Sequence, residues 1–169
     1  MFTENNQDVG PSKQLPSITF ICAGNRAIQV RYEGDYRIVT CPDDIEETNP
    51  GFFFNYCIPN IESELICFMY GGMNVADYDM LDVQISLLKK PTVMAIYSDY
   101  LTPADSPRYA PAELNLRAPG FIPAFIVRTG AIKDTPLDTG LEALTIFDVL
   151  LQLQSKGRIV YLSLIHISE

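Results

Sequence analysis

The chain has 169 residues, of which 47% are hydrophobic and 20% are charged, and its formal net charge is −9. This length fits one domain of ordinary size, and this composition is typical of a soluble globular protein rather than a disordered or membrane-spanning chain. An acidic chain binds phosphate backbones poorly, because that affinity depends on Lys and Arg displacing counterions, so we expect neither nucleic acid nor membrane as a partner.

The N-terminal region and the cysteines indicate the compartment. Residues 1–16 are polar and contain no apolar core of the kind a secretory signal has, so we expect a flexible tail on a cytoplasmic protein. The cysteines at 22, 41, 57 and 67 are widely spaced within apolar segments, without a Cys-x-x-Cys pair. This spacing predicts buried thiols rather than disulfides or a zinc site, and we expect no metal and no cofactor.

The first three predicted elements are strands. Residues 17–23 are rich in β-branched and aromatic side chains, which favours a buried strand ending at Gly24 and Asn25. Residues 27–33 and 36–41 alternate between apolar and polar side chains, which is typical of half-exposed strands. The three together predict an antiparallel meander.

The next segment is dominated by aromatic residues. Residues 52–58 place aromatic side chains on both sides of any strand, so they predict either a central strand or part of an interface. Phe52 and Phe54 are therefore candidate partner-binding residues. Residues 61–70 are ambiguous between strand and helix, whereas residues 77–90 favour a helix.

A proline-rich segment follows the buried strand predicted for residues 92–97. Residues 102–123 contain five prolines, so neither a regular helix nor a central strand can run through them. Long irregular segments are often functional, which makes this predicted surface loop a second candidate for partner binding, through Tyr109 and Phe121. If the protein were an enzyme, Arg108 in the same loop would be the positively charged residue of its site.

The C-terminal part predicts a strand, a helix and a strand. Residues 124–128 are the first strand, and residues 139–142 have the spacing of a capping box, which predicts a helix over 139–155. The apolar surface of this helix is wide, and Gly157 is expected to close it in a left-handed conformation. Residues 158–162 begin the second strand.

These elements predict an α+β fold for residues 17–162, in which an N-terminal antiparallel β-meander and a C-terminal β-α-β unit share a mixed sheet. The last seven residues, "SLIHISE", are similar to the translated remnant of a sequencing adapter found at the ends of some metagenomic genes. We therefore expect residues 163–169 to be a non-native tail, in which His166 carries no chemical information.

Two short motifs suggest chemistry at Cys22. "ITFICAGN", residues 18–25, resembles the start of the low-molecular-weight tyrosine phosphatase loop, which implies a nucleophilic Cys22 and a phosphate-binding Arg at position 28, where this chain has Ile28. "CAGNR", residues 22–26, resembles the molybdenum-binding segment of the sulfite oxidase family, but Ala27 replaces the next Arg and the chain has no Trp. Cys22 is accordingly interpreted as a core residue.

The function predicted from these features is a non-enzymatic structural or protein-interaction component of a bacterium or phage, which binds a protein partner or self-associates. This function is favoured by the aromatic segment, by the proline-rich loop and by the absence of a recognisable set of catalytic residues in the sequence. The alternative is a small enzyme, or a fragment of a larger one, with a site formed by Cys22 and the loop around Arg108.

Overall fold

The computed structural model describes residues 14–23, 30, 32–40, 50–70, 78–98, 100–101, 109–110 and 124–162. Six strands form the main sheet: β1 (Ile18–Ala23), β2 (Tyr36–Thr40), β3 (Leu65–Tyr70), β4 (Val93–Ser98), β7 (Ala124–Arg128) and β8 (Arg158–Leu162). Two shorter strands, β5 (Tyr100–Leu101) and β6 (Tyr109–Ala110), pair with each other in a separate small sheet.

The helices lie between these strands. They are α1 (Pro50–Cys57) with a 3-10 turn (Ile58–Asn60), α2 (Tyr78–Leu88), α3 (Thr129–Lys133), a 3-10 helix (Thr139–Leu144) and α4 (Thr145–Gln154). The predictions for α2 and α4 are confirmed. Helix α1 replaces the strand predicted for residues 52–58, and α3 lies in a segment for which the sequence predicted no element.

The main sheet has the order β2-β1-β3-β7-β4-β8, and only β7 runs antiparallel to its neighbours. The predicted α+β class and mixed sheet are confirmed. Strands β1 and β2 are direct neighbours and run parallel, whereas the predicted meander has a middle strand, residues 27–33, between them. About a dozen residues separate them, which is enough for a parallel crossover and more than a hairpin needs. Of the predicted middle strand, residues 27–33, only residues 30, 32 and 33 are described, and none is in a strand.

The C-terminal strand, helix and strand are confirmed as elements, but β4 lies between β7 and β8 in the sheet. The register between β4 and β8 shifts by one residue between Val93 and Ala95 of β4. Gly157 precedes β8 at this point and does not have the predicted left-handed conformation. Glycine is required for a different reason, because a Cβ here would lie 2.7 Å from the carbonyl oxygen of Thr92.

The helix that leads to β8 starts differently from the prediction. The side chain of Asp138 accepts a hydrogen bond from the amide of Gly140 at 2.8 Å, and the hydroxyl of Thr145 donates to the Asp138 carbonyl at 3.0 Å. Asp138 thus caps the start of a 3-10 helix, which precedes α4, where the sequence predicted one continuous helix from residue 139.

Two hydrophobic clusters cover the two sides of the sheet. The first, which we call the aromatic face, packs α1 and α4 on residues that include Phe53, Phe54, Phe68, Tyr97 and Phe125. The second, which we call the cysteine face, packs α2 on residues that include Phe20, Cys22, Cys67, Met69 and Ile85. The sheet is therefore the middle layer of three, and its central strands are buried on both sides.

Candidate functional site

Cys22 lies in the middle of the cysteine face. It stands opposite Met69 in the β1–β3 register and has 0% of its surface exposed. Its neighbour Cys67 is also buried, and this burial, with a smaller contribution from Cys22, raises the pKa of the Cys67 thiol to about 12. A nucleophile must reach its substrate as a thiolate. The position of Cys22 therefore favours the core interpretation over a catalytic one.

The proline-rich loop contributes little to the described structure. Arg108 and Phe121 lie outside the described residues. Tyr109 is in β6, where its backbone pairs with Leu101 of β5. The structure thus does not bring Cys22 and Arg108 together in a described site, and the interaction role of the loop stays a prediction.

Helix α1 divides the aromatic residues of the predicted strand between the core and the surface. Phe54 is fully buried, and its ring lies 4.5 Å from that of Phe68, which in turn stacks on Phe125 at 4.7 Å. Phe54 is therefore a core residue of this chain rather than a surface available to a partner. Phe52 is 56% exposed, so it stays a candidate.

Contacts at two positions on one side of α1 fix its orientation. A Cβ on Gly51 would lie 2.8 Å from Cγ2 of Thr145, so the absence of a side chain lets α1 pack tightly against the start of α4. The Asn55 amide donates a hydrogen bond to the carbonyl of Leu137 at 2.9 Å. Positions 51 and 55 are one turn apart, so they hold one side of the helix against residues 137–145.

The adjoining side of α1 is apolar and exposed. Phe52 and Tyr56, one turn apart, are 56% and 69% exposed, and Leu141 and Leu144 on the neighbouring 3-10 helix are 36% and 46% exposed. The two elements pack against each other. We call these four side chains the helical patch. Such a concentration of large apolar groups on two packed elements is typical of an interaction surface.

Part of the helical patch was missed because residues 52–58 were interpreted as a strand. Two sequence signals could have shown the helix: Pro50 at the first helical position, and the four-residue spacing of Phe52 and Tyr56. For Leu141 and Leu144 the sequence did give a signal, because the apolar surface of the predicted C-terminal helix was too wide for a solitary amphipathic helix.

Within the described ranges, no group of three or more His, Cys, Asp or Glu side chains could hold a metal ion. None of the helices in those ranges is long and apolar enough to cross a bilayer. No protein-family model matches the sequence, and no curated protein matches it.

Proposed function

We propose that this protein is a non-enzymatic structural or protein-interaction component that self-associates through the helical patch. The observation that carries the proposal is the exposure of Phe52 and Tyr56 on α1 and of Leu141 and Leu144 on the 3-10 helix that packs against it. All four side chains are uncharged, and the two elements that carry them pack against each other. The contacts of Gly51 with Thr145 and of Asn55 with Leu137 hold α1 against the residues on either side of the 3-10 helix. A rigid apolar surface can bind without the entropic cost of ordering a loop.

A second copy of the chain is the occupant that this surface fits best. A patch on one protomer meets the same patch on its partner across a two-fold axis, which is the commonest symmetry of soluble homo-oligomers. Complete burial of one large apolar side chain contributes about 1.5–3 kcal/mol. The four side chains are 36–69% exposed in the monomer, so each gains about half of that amount on association. Four groups from each protomer together contribute about 6–12 kcal/mol, which is in the range of the roughly 4–15 kcal/mol that association costs.

The burial of Cys22 supports a non-enzymatic function. The enzymatic alternative assigned its chemistry to Cys22, and this side chain has no exposed surface. A nucleophilic thiol has to be accessible to its substrate, and Cys22 is packed among the buried apolar side chains of the cysteine face.

The mass of the protein in solution tests the proposal. We expect wild-type protein to sediment as a species larger than a monomer, with a mass that rises with concentration. The double substitution Phe52→Ser with Tyr56→Ser should reduce this association by at least about tenfold, since each serine removes a large apolar contact. A strict monomer at high concentration would contradict self-association.

A matched control separates the helical patch from general surface hydrophobicity. Val83 is exposed on α2, on the opposite side of the sheet. Val83→Ser removes a comparable exposed apolar group, and we expect it to leave the mass distribution unchanged. If Val83→Ser weakens association as much as the double substitution does, the helical patch is not the interface.

A further inference from the structure

The five parallel strands begin at one edge of the main sheet, where β7 also ends, and we call this the amino edge. Backbone hydrogen bonds join the segments along it in a row. They are Ile18 amide to Asp35 carbonyl at 3.0 Å, Leu65 amide to Ser17 carbonyl at 3.0 Å, Thr129 amide to Glu64 carbonyl at 3.1 Å and Arg158 amide to Thr92 carbonyl at 2.8 Å. The residues before each strand therefore occupy known and ordered positions along a single edge.

One half of the amino edge, formed at β2, β1 and β3, is acidic. Glu33 and Asp35 precede β2, Glu62 and Glu64 precede β3, and all four side chains are exposed. Glu64 is fixed in place, because its carboxylate accepts a hydrogen bond from the Ser17 amide at 3.1 Å. Among the described residues of β2, the one basic side chain near this half is Arg37, the second residue of the strand.

The other half, formed at β7, β4 and β8, is basic. Lys89 and Lys90 precede β4, Lys156 precedes β8, and Arg158 is the first residue of β8; all four are exposed. With Arg128 at the end of β7, this half holds five of the 12 Lys and Arg residues in a chain whose net charge is −9. Lys133 and Asp134 of the nearby α3 segment have opposite charges and offset each other.

Arg128 stands at the boundary between the two halves. Its Nε donates to the Val93 carbonyl at 3.1 Å and its Nη2 donates to the Lys90 carbonyl at 2.8 Å. These bonds hold the guanidinium over the start of β4. In the β3–β7 register Arg128 is opposite Leu65, so the sign of the charge changes between β3 and β7, at the centre of the sheet.

Local helix stabilisation explains only the basic half. Lys89 and Lys90 follow the C-terminus of α2, and Lys156 follows that of α4, where positive charge interacts favourably with the helix dipole. Glu62, by contrast, follows the end of the 3-10 turn, where negative charge gains nothing from a helix dipole. The acidic half therefore has no such local explanation.

We infer that the amino edge binds the amino edge of a second copy of this chain. The two copies are related by a two-fold axis that is perpendicular to the sheet and passes between β3 and β7. In this arrangement the acidic half of each protomer faces the basic half of the other, so the contact is made twice. With strands about 4.8 Å apart, the centres of the two halves are roughly 14 Å apart, which exceeds the Debye length at physiological salt. Each half therefore attracts its opposite more strongly than it is affected by its own neighbour.

This interface is separate from the helical patch and does not depend on it, since the amino edge uses charged groups at strand ends and the patch uses apolar groups on helices. Opposite charges set orientation and association rate and are screened by salt. We expect raising NaCl from roughly 0.05 M to roughly 0.5 M to weaken edge-to-edge association by about tenfold or more. Association through the helical patch should not weaken with salt.

A charge-swap experiment tests the inference. Lys89→Glu with Lys90→Glu reduces the five positive charges of the basic half to a net charge of +1, and Glu33→Lys with Glu62→Lys reduces the four negative charges of the acidic half to a net charge of zero. All four side chains are exposed, so both variants should fold. We expect each variant alone to lose the salt-sensitive dimer, and an equimolar mixture of the two to regain it as a heterodimer, measured by sedimentation and by native mass spectrometry.

The outcomes distinguish this interface from the helical patch. Thr40→Lys, which adds a charge to an exposed side chain at the opposite end of β2, is the control and should leave the dimer intact. If the charge variants keep the wild-type mass, or if their mixture forms no heterodimer, the edge is not the interface. Loss of association in the Phe52 and Tyr56 double variant alone would support the helical patch and overturn the edge. The reverse result would support the edge alone.

Discussion

The two sides of the main sheet are built from different side chains, and on each side a sequence motif can be misinterpreted for a different reason. The cysteine face contains the motif that most resembles an active site, yet Cys22 and Cys67 are packed beneath α2. The aromatic face contains a run that predicted a central strand or part of an interface, yet the run forms helix α1, in which Phe54 is buried and Phe52 and Tyr56 are exposed. A cysteine in a motif thus says little about catalysis until its exposure is known. A hydrophobic run says little about burial until it is known whether the run forms a strand or a helix.

The largest effect should separate the two sides of α1. Phe54→Ala removes a ring that packs on Phe68, and we expect it to lower the free energy of unfolding by about 3–5 kcal/mol. Phe52→Ala, on the same helix, should change it by no more than about 0.5 kcal/mol. Urea denaturation of both variants measures the difference. Equal losses would mean that Phe52 is also part of the core.

A smaller effect is expected where α1 meets α4. Gly51→Ala places a methyl group 2.8 Å from Cγ2 of Thr145 and should cost about 1–3 kcal/mol of stability. Gly130→Ala in α3 is the matched control, because nothing lies within 4 Å of its Cβ, and it should stabilise by about 0.5–1 kcal/mol. Thermal denaturation compares the two, and stabilisation by both would contradict the close packing at Gly51.

The cysteine face should respond to alkaline pH. Burial raises the pKa of Cys67 from 9.0 to about 12, so the folded state keeps a proton that the unfolded chain loses. Ionisation of Cys67 should therefore leave the free energy of unfolding unchanged below pH 9. Between pH 9 and pH 12 it should lower this free energy by at most about 1.4 kcal/mol per pH unit. Cys67→Ala should make this slope shallower, as measured by urea denaturation at each pH.

Tyr32 provides a control for the alkaline response. Its partial burial, and then the carboxylates of Asp82, Glu64 and Asp35, raise its pKa from 10.0 to about 12. Its contribution falls in the range from pH 10 to pH 12, so Tyr32→Phe should leave the loss between pH 9 and pH 10 unchanged. A Cys67→Ala variant with the wild-type slope below pH 10 would show that Cys67 is not the group responsible.

The smallest effect should be the reactivity of Cys22. We expect a thiol reagent at pH 7 to leave Cys22 and Cys67 unmodified in folded protein and to modify both after unfolding, because both are buried. Mass spectrometry of the peptides assigns each site. Rapid modification of Cys22 in folded protein would restore the enzymatic alternative.

The sequence predicted the elements better than their arrangement. Strong local patterns placed β1, β4, β7 and β8 and the helices α2 and α4 close to their observed bounds. The position of β2 directly beside β1 could not be predicted, because the alternation in residues 36–41 does not show which strand they pair with. The insertion of β7 between β3 and β4 depends on contacts between residues far apart in the chain.

The candidate surfaces were predictable only in part. Phe52 was identified as a partner-binding residue, but Phe54 was identified with it because a strand interpretation treats alternate residues as equivalent. The division of charge along the amino edge has no sequence signature at all. Glu33 and Glu62 are far apart in the chain. They lie on the same half of the edge because the strands that they precede, β2 and β3, are both neighbours of β1 in the sheet.

The position of β7 also constrains how the chain is made. Strands β3 and β4 have no contact in the sheet except through β7, which is synthesised at least 25 residues after β4 ends at Ser98. A nascent chain that has not reached Ala124 therefore carries two unsatisfied strand borders at what becomes the middle of the molecule. Until β7 has been synthesised, we expect the nascent chain to need chaperones or rapid synthesis to avoid pairing with other chains.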